Sequence, residues 1–126
     1  MAALIANNEY PDIFMGDNIN MVDTSRFRNP WWYRNEFHIA DATKNTELVF
    51  EGINYRANIW LNGTKIASAD TLFGGFRIFK LDVSKFIVDG NNTLALEVIH
   101  QKPDEPSVGF VDWAPMPPDW LMGLWR

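Results

Sequence analysis

Hydrophobic and polar residues alternate with a period of two along most of the chain, and clusters of Asn, Asp and Gly separate the alternating segments. Successive side chains of a β-strand point to opposite faces, so this alternation predicts strands that bury one face. The clusters between the segments are typical of tight antiparallel connections. Because the spacing that characterises amphipathic helices is nearly absent, the sequence predicts an all-β domain.

The alternation predicts strands at residues 31–39, 47–53, 56–61, 64–67, 76–83 and 93–100. The pair Asn62-Gly63 can adopt the positive φ angles of a two-residue hairpin, so it predicts a turn between the third and fourth of these strands. Residues 82–87 are expected to make one helical turn. Residues 1–27 and 101–120 lack alternation and are rich in turn-forming residues, so we predict long loops there.

Strands with one apolar face need a second layer to cover that face. Two packed antiparallel sheets, forming a β-sandwich or a jelly roll, are the economical solution. The chain has 126 residues, of which 47% are hydrophobic and 21% are charged. This length and composition predict one folded, soluble domain that spans residues 1–126.

Charge and residue types exclude several classes of partner. The formal net charge of −5 and the pI of about 4.8 argue against nucleic acid as a partner, because nucleic-acid binding needs a clustered basic face. The chain has no cysteine, and His38 and His100 lie apart in predicted strands, so we expect no metal and no cofactor. No apolar run is long enough to cross a bilayer, so we expect no membrane partner.

The residues by themselves give no sign of a catalytic group. No serine lies in a nucleophile motif, and Gly74-Gly75 precedes a predicted strand rather than the helix of a phosphate-binding loop. The sequons that begin at Asn62 and Asn91 are interpreted as turn chemistry. Four strand glutamates occupy positions that we expect to face solvent. These are Glu36, Glu47, Glu51 and Glu97.

Residues 111–126 are unusual because they combine three tryptophans, two aspartates and three prolines. Proline restricts the backbone, so neighbouring side chains are held in place at low entropic cost. Indole rings can stack on the apolar face of a sugar, and a carboxylate can accept hydrogen bonds from hydroxyl groups or pair with an amine. The segment is therefore a candidate sugar-binding loop. A loop that merely covers the end of the core is the alternative.

Seven short sequence blocks occur in order along nearly the whole chain. They are Tyr10-Pro11-Asp12, Pro30-Trp31-Trp32-Tyr33-Arg34, Phe50-Glu51-Gly52-Ile53-Asn54-Tyr55, Trp60-Leu61-Asn62-Gly63, Leu81-Asp82-Val83, Gly90-Asn91-Asn92-Thr93-Leu94, and Asp112-Trp113-Ala114 with Pro117-Pro118-Asp119 and Met122-Gly123-Leu124-Trp125-Arg126. Together they resemble the N-terminal sugar-binding domain of glycoside hydrolase family 2. Within that family, the second and the last block are most similar to exo-β-D-glucosaminidases, with β-mannosidases next.

The resemblance implies a galactose-binding-domain-like β-sandwich of the jelly-roll type. It also implies a secreted or periplasmic parent enzyme, a retaining exo-acting glycosidase whose catalytic barrel is absent here. In such a parent, this domain would be non-catalytic, and Asp112 and Trp113 would bind the terminal amino sugar or mannoside beside the barrel. Trp125 and Arg126 are expected to have structural roles, packing and pairing rather than touching the ligand.

Two other functions remain open from the sequence. A free-standing lectin-like module would use the same aromatic residues as an open platform for carbohydrate, and a structural spacer domain would bind nothing. Similar proteins have additional strands before and after this region. If those strands are missing, unpaired sheet edges are expected to drive self-association of the chain.

Overall fold

The computed structural model of the protein describes residues 1–106, 113 and 117–126. A short helix, α1 (Ala2–Ala6), and two 3-10 helices (Asn18–Met21 and Thr24–Arg28) precede the strands. The strands are β1 (Trp31–Ile39), β2 (Glu47–Phe50), β3 (Ile53–Asn54), β4 (Arg56–Leu61), β5 (Thr64–Ala67), β6 (Phe79–Asp82), β7 (Gly90–Ile99) and β8 (Gly123–Leu124).

The strands form antiparallel sheets, as the sequence predicts. The largest sheet has four strands in the order β1-β7-β4-β5, and two-stranded sheets pair β2 with β6 and β3 with β8. β7 lies between β1 and β4, so its backbone is paired along both edges. The strand with the longest alternating pattern is thus placed at the centre of the main sheet.

One hydrophobic core lies between the four-stranded sheet and the β2–β6 pair. Inward-facing residues of β4 and β7 pack with Phe50 and Phe79, which are partners in the β2–β6 register. Burial of each Ile, Leu, Val or Phe side chain in this core contributes about 1.5–3 kcal/mol. The inward-facing residues of β4 and β7 are Ala57, Ile59, Leu61, Leu94, Leu96 and Val98. The β-sandwich predicted from alternation is therefore confirmed as an antiparallel all-β architecture.

The bounds predicted for β1, β4 and β5 are confirmed, and Asn62 and Gly63 make the predicted turn with φ angles of 50° and 80°. The predicted helical turn is also present, since the N–H groups of Phe86 and Ile87 both donate to the carbonyl of Val83.

Three predicted strands and one predicted loop need correction. The strand predicted at 47–53 is divided into β2 and β3, and the strand predicted at 76–83 begins only at Phe79. The strand predicted at 93–100 begins three residues earlier and forms β7, because residues 90–92 pair with the end of β1 instead of forming a turn. Residues 1–27 are not a continuous loop, because they form α1 and the two 3-10 helices. The alanine-rich sequence of α1 favours a helix, and Phe27, only 2% exposed, anchors the end of this segment in the core.

No helix in the described part of the chain is long and apolar enough to cross a membrane.

Candidate functional site

The connection between β7 and β8 carries both residues that the sequence proposes for sugar binding. Asp112 lies outside the described residues. Trp113 is 85% exposed, so its indole is open to a ligand. The residues that flank positions 107–116 on both sides are described, and their contacts show how this loop is anchored.

The first anchor is an ion pair between Arg56 of β4 and Glu105. Both side chains are largely buried, at 20% and 15% relative exposure. The carboxylate of Glu105 also accepts a 2.7 Å hydrogen bond from the backbone N–H of Lys102, and the N–H of Glu105 donates to the Lys102 carbonyl. The loop therefore starts from a turn that is tied to the main sheet.

Aromatic rings surround the guanidinium group of Arg56. Its Cζ atom lies 5.5 Å from the ring centroid of Tyr55 and 6.0 Å from that of Phe73, and Arg77 approaches the Phe73 ring at 5.7 Å. Cations over aromatic faces attract the ring electrostatically. These residues line two neighbouring clefts of about 350 and 280 Å³. The first anchor thus borders a surface with both charged and aromatic groups.

The second anchor is a tight turn at residues 119–122. The N–H of Met122 donates to the carbonyl of Asp119, while Oδ1 of Asp119 accepts from the N–H of Leu121. The two central residues, Trp120 and Leu121, both have φ angles of 55°. An aspartate side chain that hydrogen-bonds the backbone two residues later is a common stabiliser of such turns.

Asp119 is buried, at 5% relative exposure, so it is not displayed on the loop surface. Its Oδ2 atom accepts a 2.6 Å hydrogen bond from the N-terminal ammonium group of Met1. Burial, followed by the negative charge of Asp119, raises the pKa of Tyr33. Of the two aspartates in the aromatic and acidic stretch, this one has a structural role.

A cleft of about 460 Å³ lies beside the second anchor. Gly52, Asn54, Asp119, Met122 and Trp125 are among the residues that line it. The amide nitrogen of Asn54 donates to the carbonyl of Leu121 at 3.0 Å, but its buried Oδ1 atom has no hydrogen-bond partner in the described part of the chain. The sequence did not identify this hydrogen-bond acceptor, because the only notable feature of Asn54 there is its place in one of the seven blocks that resemble the family.

The last two residues, Trp125 and Arg126, make different kinds of contact. Arg126 forms an ion pair with Glu51, as expected. The expectation that Trp125 packs is wrong, since its side chain is 82% exposed. Backbone hydrogen bonds hold this end of the chain instead: the N–H of Trp125 donates to the carbonyl of Gly52, and the N–H of Glu51 donates to the carbonyl of Arg126.

Four glutamates were predicted in strands, and one of them, Glu51, lies between β2 and β3. Three of the four pair with basic residues: Glu36 with Arg34, Glu47 with Lys80, and Glu51 with Arg126. Glu97 differs, because it is half-buried and accepts a 2.7 Å hydrogen bond from Asn58. Across residues 1–106, 113 and 117–126, no group of acidic or histidine side chains is arranged to hold a metal ion.

Comparisons with known proteins relate the chain to carbohydrate-active enzymes. The family model for the glycosyl hydrolase 2 galactose-binding domain-like domain matches residues 1–106. The chain is 36% identical to an exo-β-D-glucosaminidase of Amycolatopsis orientalis, over 99% of this chain and 12% of that protein.

Two solved structures share the fold. The crystal structure of the exo-chitosanase of Amycolatopsis orientalis superimposes with a TM-score of 0.92 at 36% identity, over 98% of this chain and 15% of that one. The β-D-mannosidase of Dictyoglomus thermophilum superimposes with a TM-score of 0.66 at 30% identity, over 76% of this chain and 12% of that one. The chain thus spans only about an eighth to a seventh of the proteins it matches. It belongs to the galactose-binding domain-like family of glycosyl hydrolase 2.

Proposed function

We propose that this chain is the non-catalytic domain that completes the sugar-binding pocket of a longer, exo-acting glycoside hydrolase. The substrate class is β-linked glucosamine or mannose at a non-reducing end. The observation that carries the proposal is the match to the exo-β-D-glucosaminidase of Amycolatopsis orientalis, which extends over 99% of this chain at 36% identity. The mannose alternative is supported by the more distant match to a β-D-mannosidase.

In this proposal, Asp112 and Trp113 form a wall of the pocket for the terminal sugar. The Arg56–Glu105 ion pair and the turn at Asp119 support this role, because they fix the two ends of the connecting loop. The 85% exposure of Trp113 leaves its indole available for stacking on a pyranose ring. A carboxylate at position 112 would accept hydrogen bonds from sugar hydroxyls or from the ammonium group of glucosamine.

The chemical step would belong to the rest of the longer protein. Retaining glycoside hydrolysis needs two carboxyl groups about 5–5.5 Å apart, one as nucleophile and one as acid and base. In the described part of the chain, Glu36, Glu47 and Glu51 pair with cations, and Glu97 is held by Asn58. We therefore predict that the purified chain releases no glucosamine from oligosaccharides and no phenol from an aryl β-glucosaminide. Sustained release by rigorously pure protein would contradict this assignment.

Replacement of the loop aspartate in the longer protein tests the binding role. Asp112→Asn is expected to lower kcat/KM by roughly 10-fold to 150-fold, equivalent to about 1.5–3 kcal/mol, because a charged hydrogen bond in a dry pocket is lost. Asp104→Asn is the matched control, since Asp104 is an exposed aspartate in the same connection. An unchanged kcat/KM for Asp112→Asn, with normal thermal stability, would assign Asp112 a structural role.

A free-standing lectin-like module is the second candidate, and the exposure of Trp113 is the observation that favours it. Such a module would bind glucosamine or mannose oligosaccharides through Trp113 without any partner domain. Calorimetric titration of the isolated chain and of its Trp113→Ala variant separates the two functions. Binding that depends on Trp113 favours the lectin-like module, whereas a need for the longer protein favours the pocket-completing domain. A structural spacer would show neither effect.

A further inference from the structure

The outward surface of the four-stranded sheet carries an aromatic and acidic cluster that is separate from the loop site. Buried and half-buried positions alternate along β4 and β7, so the residues between the core positions point away from the core. We call this surface the outer sheet face. Its residues include Trp32, Arg34 and Glu36 of β1, Ala95 and Glu97 of β7, Arg56, Asn58 and Trp60 of β4, and Lys65 of β5.

Two tryptophans meet at the centre of the outer sheet face. The ring centroids of Trp32 and Trp60 are 5.1 Å apart, with an interplanar angle of 31°. They come from the strands on either side of β7, where Ala95 is the direct partner of Trp60. Because the alanine side chain is small, the two indoles can approach each other above the central strand.

The indole of Trp32 is 59% exposed, although it is one of the largest apolar side chains in the chain. Trp60 is partly buried and its ring is tilted against Trp32, so the exposed part of the pair is mainly the indole of Trp32. That exposed aromatic surface remains available to a ligand. Pyranose rings present an apolar C–H face that stacks on indole. The exposed indole of Trp32 therefore suits a sugar ring stacked on it.

A fixed carboxylate lies in the same row of the sheet as Trp32. Glu97 is the direct cross-strand partner of Trp32, and Asn58 is its partner on the other side. Oε2 of Glu97 accepts a 2.7 Å hydrogen bond from Asn58, whose own Oδ1 accepts a 2.9 Å bond from the N–H of Ala69. These contacts hold the carboxylate in place in the row of Trp32.

The charge of Glu97 is not neutralised by any cation in the described part of the chain. The basic residues on this face have other partners. Arg34 forms an ion pair with Glu36 at 2.5 Å, Arg56 forms one with Glu105, and the ammonium group of Lys65 lies 5.4 Å from the ring centroid of Trp60. A ligand with an ammonium group next to an apolar ring face would supply the missing counter-charge. The net charge of −5 on the chain also favours a cationic ligand.

We propose that the outer sheet face binds a β-linked chain of glucosamine units, with Trp32 stacking on the sugar, Trp60 supporting the Trp32 ring, and Glu97 accepting from the ammonium group of the sugar. This second site would hold the polymer away from the loop that carries Asp112 and Trp113. The choice of an amino sugar rests on the proposed function, because glucosamine is the substrate class suggested there.

Calorimetric titration of a β-linked glucosamine hexamer into the chain, in mildly acidic buffer, tests the proposal. The wild type is expected to bind, and Trp32→Ala is expected to bind about tenfold more weakly because a stacking surface is lost. Phe14→Ala is the matched control, since Phe14 is a 77% exposed aromatic residue that lies outside the sheet. A wild type that does not bind, or a Trp32→Ala variant that binds normally, overturns the proposal.

A second variant tests whether Glu97 binds the ammonium group of the sugar. Glu97→Gln keeps the size of the side chain and an oxygen that can accept from Asn58, but it removes the charge. This variant is expected to weaken binding of the glucosamine hexamer and to leave binding of the neutral cellulose hexamer unchanged. Equal effects on both hexamers overturn the assignment of Glu97 to the ammonium group. Unfolding curves of each variant confirm that the proteins compared are folded.

The two proposals can fail separately. If Asp112→Asn lowers kcat/KM in the longer protein but the chain does not bind the hexamer, the pocket-completing function stands and the outer-face site is overturned. If the hexamer binds through Trp32 while Asp112→Asn has no effect, the outer-face site stands without the proposed function of the loop.

Discussion

Arg56 and Glu105 form an ion pair that joins the main sheet to the start of the loop that carries Asp112 and Trp113. Arg56 belongs to β4, and Glu105 follows β7, which is the neighbouring strand. Both partners are at least four-fifths buried, and the Nε atom of Arg56 has no further hydrogen-bond partner in the described part of the chain. The positive charge of the buried guanidinium group is therefore balanced by the carboxylate of Glu105.

Removal of Glu105 is expected to destabilise the domain strongly. Glu105→Ala leaves the charge of Arg56 largely buried and unpaired, so we expect a loss of about 2–4 kcal/mol in the free energy of unfolding. Urea denaturation followed by tryptophan fluorescence measures this loss.

Glu47→Ala provides the matched control for the ion pair. Glu47 pairs with Lys80 across β2 and β6 at 3.8 Å, but both side chains are more than half exposed. Exposed pairs contribute little, so this variant should change stability by about 0.5 kcal/mol or less. Similar losses for both glutamates would mean that burial of the Arg56–Glu105 pair has no energetic consequence.

Local patterns were sufficient to predict the parts of the fold that are made of neighbouring residues. The hairpin of β4 and β5 follows from alternation and from Asn62-Gly63, and both signals lie within a dozen residues. The division between β2 and β3 was not predictable in this way. Ile53 and Asn54 pair with Leu124 and Gly123, about seventy residues later. The alternation of hydrophobic and polar residues does not indicate which distant segment a strand pairs with.

Asn62 makes the turn expected of its sequon, but the interpretation of the second sequon as a turn is wrong, because residues 91–93 lie in β7. A buried amide network around Asn92 connects the two regions. Asn92 is 1% exposed, and its side-chain oxygen accepts hydrogen bonds from Asn62 at 2.7 Å and from the N–H of Val88 at 2.9 Å. Its amide nitrogen donates to the carbonyls of Val88 and Gly90. The network joins the β4–β5 turn to the turn that precedes β7.

Asn92→Ala is therefore expected to lower the free energy of unfolding by about 2–4 kcal/mol, because several buried hydrogen-bonding groups lose their partner together. Chemical denaturation measures the loss. The neighbouring Asn91 is exposed, so Asn91→Ala should change stability by about 0.5 kcal/mol or less. A small effect of Asn92→Ala would show that water or rearranged side chains replace the network.

Gly123 is expected to be intolerant of a side chain for two reasons. Its φ angle of 151° lies in a region that residues with a Cβ atom rarely adopt, and an added Cβ would lie 3.1 Å from the hydroxyl oxygen of Tyr33. We expect Gly123→Ala to cost about 2–3 kcal/mol in thermal or urea unfolding. Gly16→Ala is the control, since Gly16 also has a positive φ but has open space around it, and it should cost about 1 kcal/mol. Equal costs would exclude a contribution from the contact with Tyr33.

The candidate site was only partly predictable from the sequence. Trp113 and Asp112 could be identified as candidate binding residues from residue type alone, because exposed indoles and carboxylates bind sugars. Glu105 and Asn54 were not identified, because what distinguishes them is burial beside Arg56 and beside the turn at Leu121. Those environments are created by contacts between distant segments, so they are tertiary properties that composition and spacing do not encode.

Tyr33 links the main sheet to the second anchor of the loop, and its ionisation gives a test of that link. Partial burial, followed by the negative charge of Asp119, raises the pKa of Tyr33. A tyrosine whose pKa is higher in the folded state resists ionisation there, while the unfolded chain ionises near pH 10. The contribution of neutral Tyr33 to the free energy of unfolding is therefore present below about pH 10, and it is lost as the pH rises toward the raised pKa.

Tyr33→Phe should remove this alkaline loss, because phenylalanine fills the same space and cannot ionise. We expect the stability of the variant relative to the wild type to be constant from about pH 7 to pH 9 and to increase steadily between about pH 9.5 and pH 11. Urea denaturation at closely spaced pH values measures the difference, which also cancels the contributions of the other tyrosines. A difference that stays flat through pH 11 would mean that Tyr33 ionises equally readily in the folded and unfolded chains, and that Asp119 does not act on it.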